Sequence, residues 1–83
     1  MTSETRLRRE VTEIVAEVAE VSPEEIAPDA RLEVLGIDSL DGLRIVAAVE
    51  KKYGIVIEEA EIAKIRTMPD IFALVEKHAP EVD

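Results

Sequence analysis

The sequence contains no cysteine and no tryptophan, one tyrosine (Tyr53) and one phenylalanine (Phe72). Without thiols, disulfides, Cys-liganded metals and thiol redox chemistry are all excluded. With so few rings, any core must be built from aliphatic side chains. Long apolar runs are missing too: no run is longer than Ile45 to Val49, which falls far short of a bilayer span. The residues after Met1 are polar and charged and do not resemble a secretion signal, so the expectation is a cytoplasmic protein with no membrane insertion.

What the sequence does have is charge and aliphatic surface. Its 83 residues fit one domain, 1–83, with an expected ordered core of about 5–79 and room for only a small hydrophobic interior. Ten basic residues against nineteen acidic ones give a formal net charge of −9. That excess repels nucleic acid phosphates and favours partners presenting Lys and Arg. A hydrophobic fraction of 47% separates the chain from disordered acidic tails, which lack the apolar residues needed to offset chain entropy.

Hydrophobic periodicity is helical throughout. Leu7, Val11, Ile14 and Val18 recur at steps of four, three and four, which predicts a first helix over about Thr5 to Ala19. Ser22-Pro23-Glu24-Glu25 is a helix-start signature, but Pro28 limits that segment to a short turn. Asp29 to Ile37 reads as a loop pinned by Leu32, Val34, Leu35 and Ile37 and bent at Gly36. A second helix is expected from Asp38 or Ser39 to about Lys52, stopped by Gly54. Residues 55–57 read as a packed loop, since a lone strand has nothing to pair with. A short third helix is expected over Glu58 to Ile65 with Ile62 and Ile65 inward. A fourth, capped by Thr67, places Ile71, Leu74, Val75 and His78 on one side down to about Ala79, and Pro80 to Asp83 reads as a frayed tail. The expected fold class is all-α: a small four-helix bundle of three longer helices and one short one, with a long loop between the first two.

The second helix carries two apolar stripes. Ile45, Val46, Val49 and Tyr53 suffice for a core, whereas Leu40, Leu43 and Ala47 form a second stripe that either packs under the long loop or faces a partner as a docking surface. At the start of this helix, Asp38 and Ser39 place an acid and a hydroxyl where backbone N–H groups lack internal partners and the dipole is positive. Asp38 is suited to cap those amides, with Asp41 close by, and a phosphate esterified to Ser39 would sit in a favourable anion site.

Asp38-Ser39-Leu40, preceded by Leu35-Gly36 and by Pro28-Asp29-Ala30 with Leu32, resembles the acyl carrier protein family over roughly residues 7 to 78. The resemblance continues downstream through Val49-Glu50 and Tyr53, Ile57 to Ile65, and Thr67-Met68. It implies that Ser39 carries 4'-phosphopantetheine, attached from coenzyme A by a phosphopantetheinyl transferase that Asp38 assists. It further implies a non-catalytic, monomeric carrier whose acyl thioesters are delivered to acyl-transferring, condensing and modifying enzymes of fatty-acid, polyketide or specialised lipid biosynthesis. Leu40, Asp41, Leu43, Arg44, Ala47 and Glu50 become candidates for contact with those partners. A core of aliphatic side chains with Ala47 and Ala48 nearby implies room to shelter an acyl chain between helices.

Some residues depart from the family pattern. Arg44 stands where the family commonly has Glu, Lys51 and Lys52 replace acids near the helix end, and Ala63 and Arg66 dilute the acidity of the third helix. These changes point away from general fatty-acid synthesis and toward a dedicated pathway. Gly42 interrupts a helix where Ala is better by up to about 1 kcal/mol, as a site of close approach or flexibility or as a tolerated blemish. The alternatives are a peptidyl or aminoacyl carrier, although Ile37-Asp38 replaces the Gly or His usual there, and a cofactor-free acidic interaction module. A calcium loop is excluded because Gly42 falls at the fifth position rather than the sixth. Ser39, Asp38 and His78 supply the residue types of a hydrolytic triad, but no nucleophile elbow surrounds Ser39.

Overall fold

The structure is a computed structural model and describes residues 3–78. In it, α1 (Ser3–Ala19), α2 (Ser39–Tyr53), α3 (Glu59–Ile62) and α4 (Met68–His78) are joined by loops holding two 3₁₀ turns, Pro23–Glu25 and Leu32–Leu35. Among the described residues there is no β-strand, only an isolated antiparallel bridge between Arg31 and Thr67. None of the described helices is long and apolar enough to cross a membrane. The expected tail and Ala79 lie outside the described residues.

α1 packs on both α2 and α4, so its buried arc faces two neighbours. The arc is centred on Leu7, Val11, Val15 and Ala16, while the expected Ile14 and Val18 lie only partly buried at its edge. The helix ends without glycine. Glu20 takes φ 60, and the Val21 amide donates to the Ala16 carbonyl at 3.0 Å, closing the left-handed C-terminal turn that glycine normally supplies. Tyr53 at the end of α2 donates its hydroxyl to Glu10 at 2.9 Å, tying α2 back to α1; burial and that carboxylate raise the phenol's pKa.

α4 supplies the greatest share of the core, with Met68, Ile71, Phe72, Leu74 and Val75 all buried. Its start is capped as expected: the Thr67 hydroxyl accepts from the Asp70 amide at 3.3 Å, and Asp70 accepts from the Thr67 amide at 3.1 Å. Phe72, set apart from the expected stripe, is buried beneath the Arg8 guanidinium, 5.3 Å from the ring centroid.

The long loop is held by backbone as much as by side chains. Leu32 donates its amide to Arg66 at 3.0 Å and Met68 donates to Ala30 at 2.9 Å, which lashes the loop to the entry of α4. Leu32 and Ile37 are buried and Leu35 partly so, but Val34 is 76% exposed and pins nothing, because the 3₁₀ turn rotates it outward. Gly36 makes the bend at φ 78. α3 is one turn only, shorter than expected, and none of its residues is fully buried; Ile62 and Ile65 pack against the core from its margin.

Candidate functional site

The site is built at the junction of the long loop and α2. Ile37, buried, anchors the chain just before the helix, and Ile45 and Val46 anchor the second turn and beyond. Between these anchors the chain is at the surface: Asp38, Ser39 and Leu40 are all exposed. Asp38 is the N-cap. Its Oδ1 accepts from the Asp41 amide at 2.9 Å, and its carbonyl accepts from the Gly42 amide at 2.9 Å. The amides of Ser39 and Leu40 precede the first intrahelical bond, so the positive end of the helix lies beside the Ser39 hydroxyl. A phosphodiester on that oxygen would meet backbone donors and a favourable dipole, and the hydroxyl is open to a modifying enzyme.

Beneath Ser39 lies a groove of about 910 Å³ between α2, α3, α4 and the loop. Ser39, Asp38 and Leu43 belong to its wall, and its depths are apolar, with Val46 and Val49 from α2, Ile62 from α3, and Ile71, Leu74 and Val75 from α4. Arg31, Glu33, Glu59 and Arg66 add polar groups to the wall; Arg31 and Glu33 pair with each other, and Arg66 donates to the carbonyls of Ala63 at 2.7 Å and Ile65 at 3.1 Å. An exposed hydroxyl at one part of the wall and an aliphatic interior below it would suit a flexible tether with an apolar cargo.

The other candidates separate. Leu40 and Leu43 are 59% and 52% exposed, and Ala47 and Arg44 are exposed with them, so the second apolar stripe of α2 is not covered by the long loop. Asp41 is half-buried. Glu50 is half-buried as well and its Oε2 accepts from the Ile57 amide at 2.8 Å, which makes it a brace for the loop after α2 rather than an open surface acid. Gly42 is not required for close approach within the chain, since a Cβ there would meet nothing within 4 Å. His78 faces Glu61, with Nε2 3.0 Å from Oε1, and takes no part in a triad with Ser39. Among the described residues no cluster of His, Asp and Glu is arranged to hold a metal. The contributions of α3 and α4 to the groove escaped the sequence reading, because Ile62, Ile71 and Leu74 read as ordinary core; the only signal was more aliphatic faces than one small core fills.

Both the sequence and the fold are similar to those of known proteins. The family model described as a phosphopantetheine attachment site matches residues 9–75. An acyl carrier protein of Wolinella succinogenes is 38% identical over 68 residues, covering 81% of this chain and 90% of that protein. Among solved structures, an acyl carrier protein from Thermotoga maritima superposes with TM-score 0.83 at 29% identity, covering 100% of this chain and 98% of that one. A chain in the structure described as the ishigamide ketosynthase/chain length factor superposes with TM-score 0.72 at 31% identity, covering 90% of this chain and 94% of that one. The helical fold, the exposed serine at a capped helix start and these likenesses lead to one conclusion: the chain belongs to the acyl carrier protein family, whose members carry acyl intermediates of fatty-acid, polyketide or lipid biosynthesis on a covalent phosphopantetheine group.

Proposed function

We propose that Ser39 is the residue esterified by 4'-phosphopantetheine and that the groove beneath it receives the acyl chain. The observation that carries this reading is the exposed Ser39 hydroxyl at the capped start of α2, in the wall of an aliphatic groove. The prosthetic group, when bound, supplies a thiol that holds acyl groups as thioesters. The chain's own residues do the rest. Asp38 fixes the helix start and so the direction of the serine oxygen, while the dipole of α2 favours the phosphodiester charge. Val46, Val49, Ile62 and Leu74 offer apolar surface that keeps water from a chain lodged among them. Tethering holds each intermediate at high effective concentration near successive enzymes, and no side chain of the protein is asked to catalyse.

The partners in this reading are a phosphopantetheinyl transferase, assisted by Asp38, and acyl-transferring, condensing and modifying enzymes that contact Leu40, Leu43 and Ala47. The carrier acts as a cytoplasmic monomer. Incubation with coenzyme A and a broad-specificity phosphopantetheinyl transferase, followed by intact-mass analysis, tests it. The expected result is a gain of one phosphopantetheinyl group that disappears in Ser39→Ala; a gain that survives the substitution would falsify the assignment.

A further inference from the structure

The two long faces of α2 differ in charge as well as in burial. Ile45, Val46 and Val49 point into the core, while Leu40, Leu43, Arg44, Ala47 and Lys51 are exposed. At 3.6 residues per turn, Leu40, Arg44, Ala47 and Lys51 fall within roughly 60° of one another and form the outermost ridge of the helix, with Leu43 beside them on the groove side. The only charges on that ridge are positive. The acids of α2 stand off it: Asp41 is half-buried and borders a cleft shared with Glu17 and Glu20 of α1, and Glu50 is held by the Ile57 amide.

In a chain of net charge −9, a cationic ridge beside the attachment serine runs against composition. Lys51 lies in the last turn, where the helix dipole favours a cation, but Arg44 lies in the middle of the helix, where it does not. Arg44 also borders the cleft of Glu17, Glu20 and Asp41, yet among the described residues neither Arg44 nor Lys51 forms an ion pair within the chain. Both cations are therefore available to another surface.

Building on the reading of Leu40, Leu43 and Ala47 as the docking stripe, we infer that the partner enzyme's docking surface is acidic at this ridge. It offers an apolar seat for Leu40 and Leu43 flanked by carboxylates that face Arg44 and Lys51. Seven residues of helix set those carboxylates about 10 Å apart. At physiological ionic strength the screening length is about 8 Å, so the ridge cations act at contact while more distant acids of the carrier are damped. Charges of this kind select among partners and set encounter rates more than they add affinity.

The test is a charge swap with one ketosynthase in two versions: a native form whose docking patch is basic, and the same enzyme with those Lys and Arg residues changed to Glu. Dissociation constants are measured with the apo carrier, so the readout does not depend on the arm at Ser39. The wild-type carrier is expected to bind the Glu version more tightly, and the double variant Arg44→Glu/Lys51→Glu to reverse that order. Each exposed pair is worth about a two- to fivefold change in Kd, shrinking as salt rises. Thermal melting checks that the double variant is folded, as substitutions at exposed positions allow. A wild-type preference for the basic version, or an order that the double variant leaves intact, overturns the inference. Loss of modification at Ser39 would overturn the attachment reading instead, and the two failures are read from different experiments.

Discussion

The two walls of the groove are held by different forces. The α4 wall is fastened by burial: Met68 and Val75 are fully enclosed, and Ile71 and Leu74 nearly so. The α3 wall has no fully buried residue and is fastened by polar links, namely Glu50 to the Ile57 amide, and Glu61 to Lys77 Nζ at 3.2 Å and to His78. Burial is lost all at once with the fold, whereas hydrogen bonds at a half-exposed edge break and re-form locally. The groove thus has a rigid side and a yielding side, and if it receives the acyl chain as proposed, a longer cargo is expected to displace α3 while α1, α2 and α4 keep their packing.

Truncation on the two walls is the strongest way to break that contrast. Met68→Ala leaves a cavity in the centre of the core and is expected to cost about 2–5 kcal/mol in chemical denaturation, a large fraction of the stability of so small a domain. Ile62→Ala, at the margin, is expected to cost less than half as much; equal losses would mean that α3 is as firmly built as α4. Next in size is Glu50→Gln. Replacing a charge-assisted acceptor of the Ile57 amide with a neutral one is expected to cost about 1 kcal/mol and to speed hydrogen exchange at Ile57 and across α3, with α1 exchange following only the global change.

The two walls were unequally legible in the sequence. α4 was readable as a helix, although not as a wall of the groove, because Ile71, Leu74 and Val75 repeat at helical spacing and Thr67 and Asp70 form a recognisable cap. The limits of α2 were readable from Asp38 and Gly54, and Asp38-Ser39-Leu40 already marked the helix start at which attachment is proposed. The extent of α3 was not, because Glu59–Ile62 is a single turn whose shape depends on Glu50 and on α4, contacts distant in sequence. Val34 was misplaced for a related reason: a 3₁₀ turn follows neither the helical nor the strand period, so an aliphatic residue in it gives no sign of which way it faces. Glu50 looked like a surface acid because its neighbours Lys51 and Lys52 are solvated, and only the fold brings the Ile57 amide beneath it.

Smaller effects sharpen the contrast. An acyl chain lodged in the groove binds only the folded state, so a medium-length acyl form is expected to melt a few degrees above the free-thiol form. Slower exchange should be concentrated in α3; an unchanged melting temperature would count against the groove as the acyl site. The smallest expected effect is that of acid. The hydrogen bond from His78, with help from Lys77, holds the Glu61 carboxyl below the usual carboxylate range. A folded-state pKa below the unfolded one contributes stability that is present above the unfolded value and lost as pH falls through the folded one. Hydrogen exchange in α3 should therefore rise relative to α1 as pH is lowered through and below the ordinary carboxylate range, and Glu61→Gln should remove that dependence.

The most direct measurement is peptide fragmentation of the phosphopantetheinylated protein. The hydroxyl at the mouth of α2 is expected to carry the whole modification, so every fragment bearing the added group should contain Ser39. A group found on Ser3, Ser22 or any threonine, with Ser39 bare, would contradict the role assigned to the capped helix start.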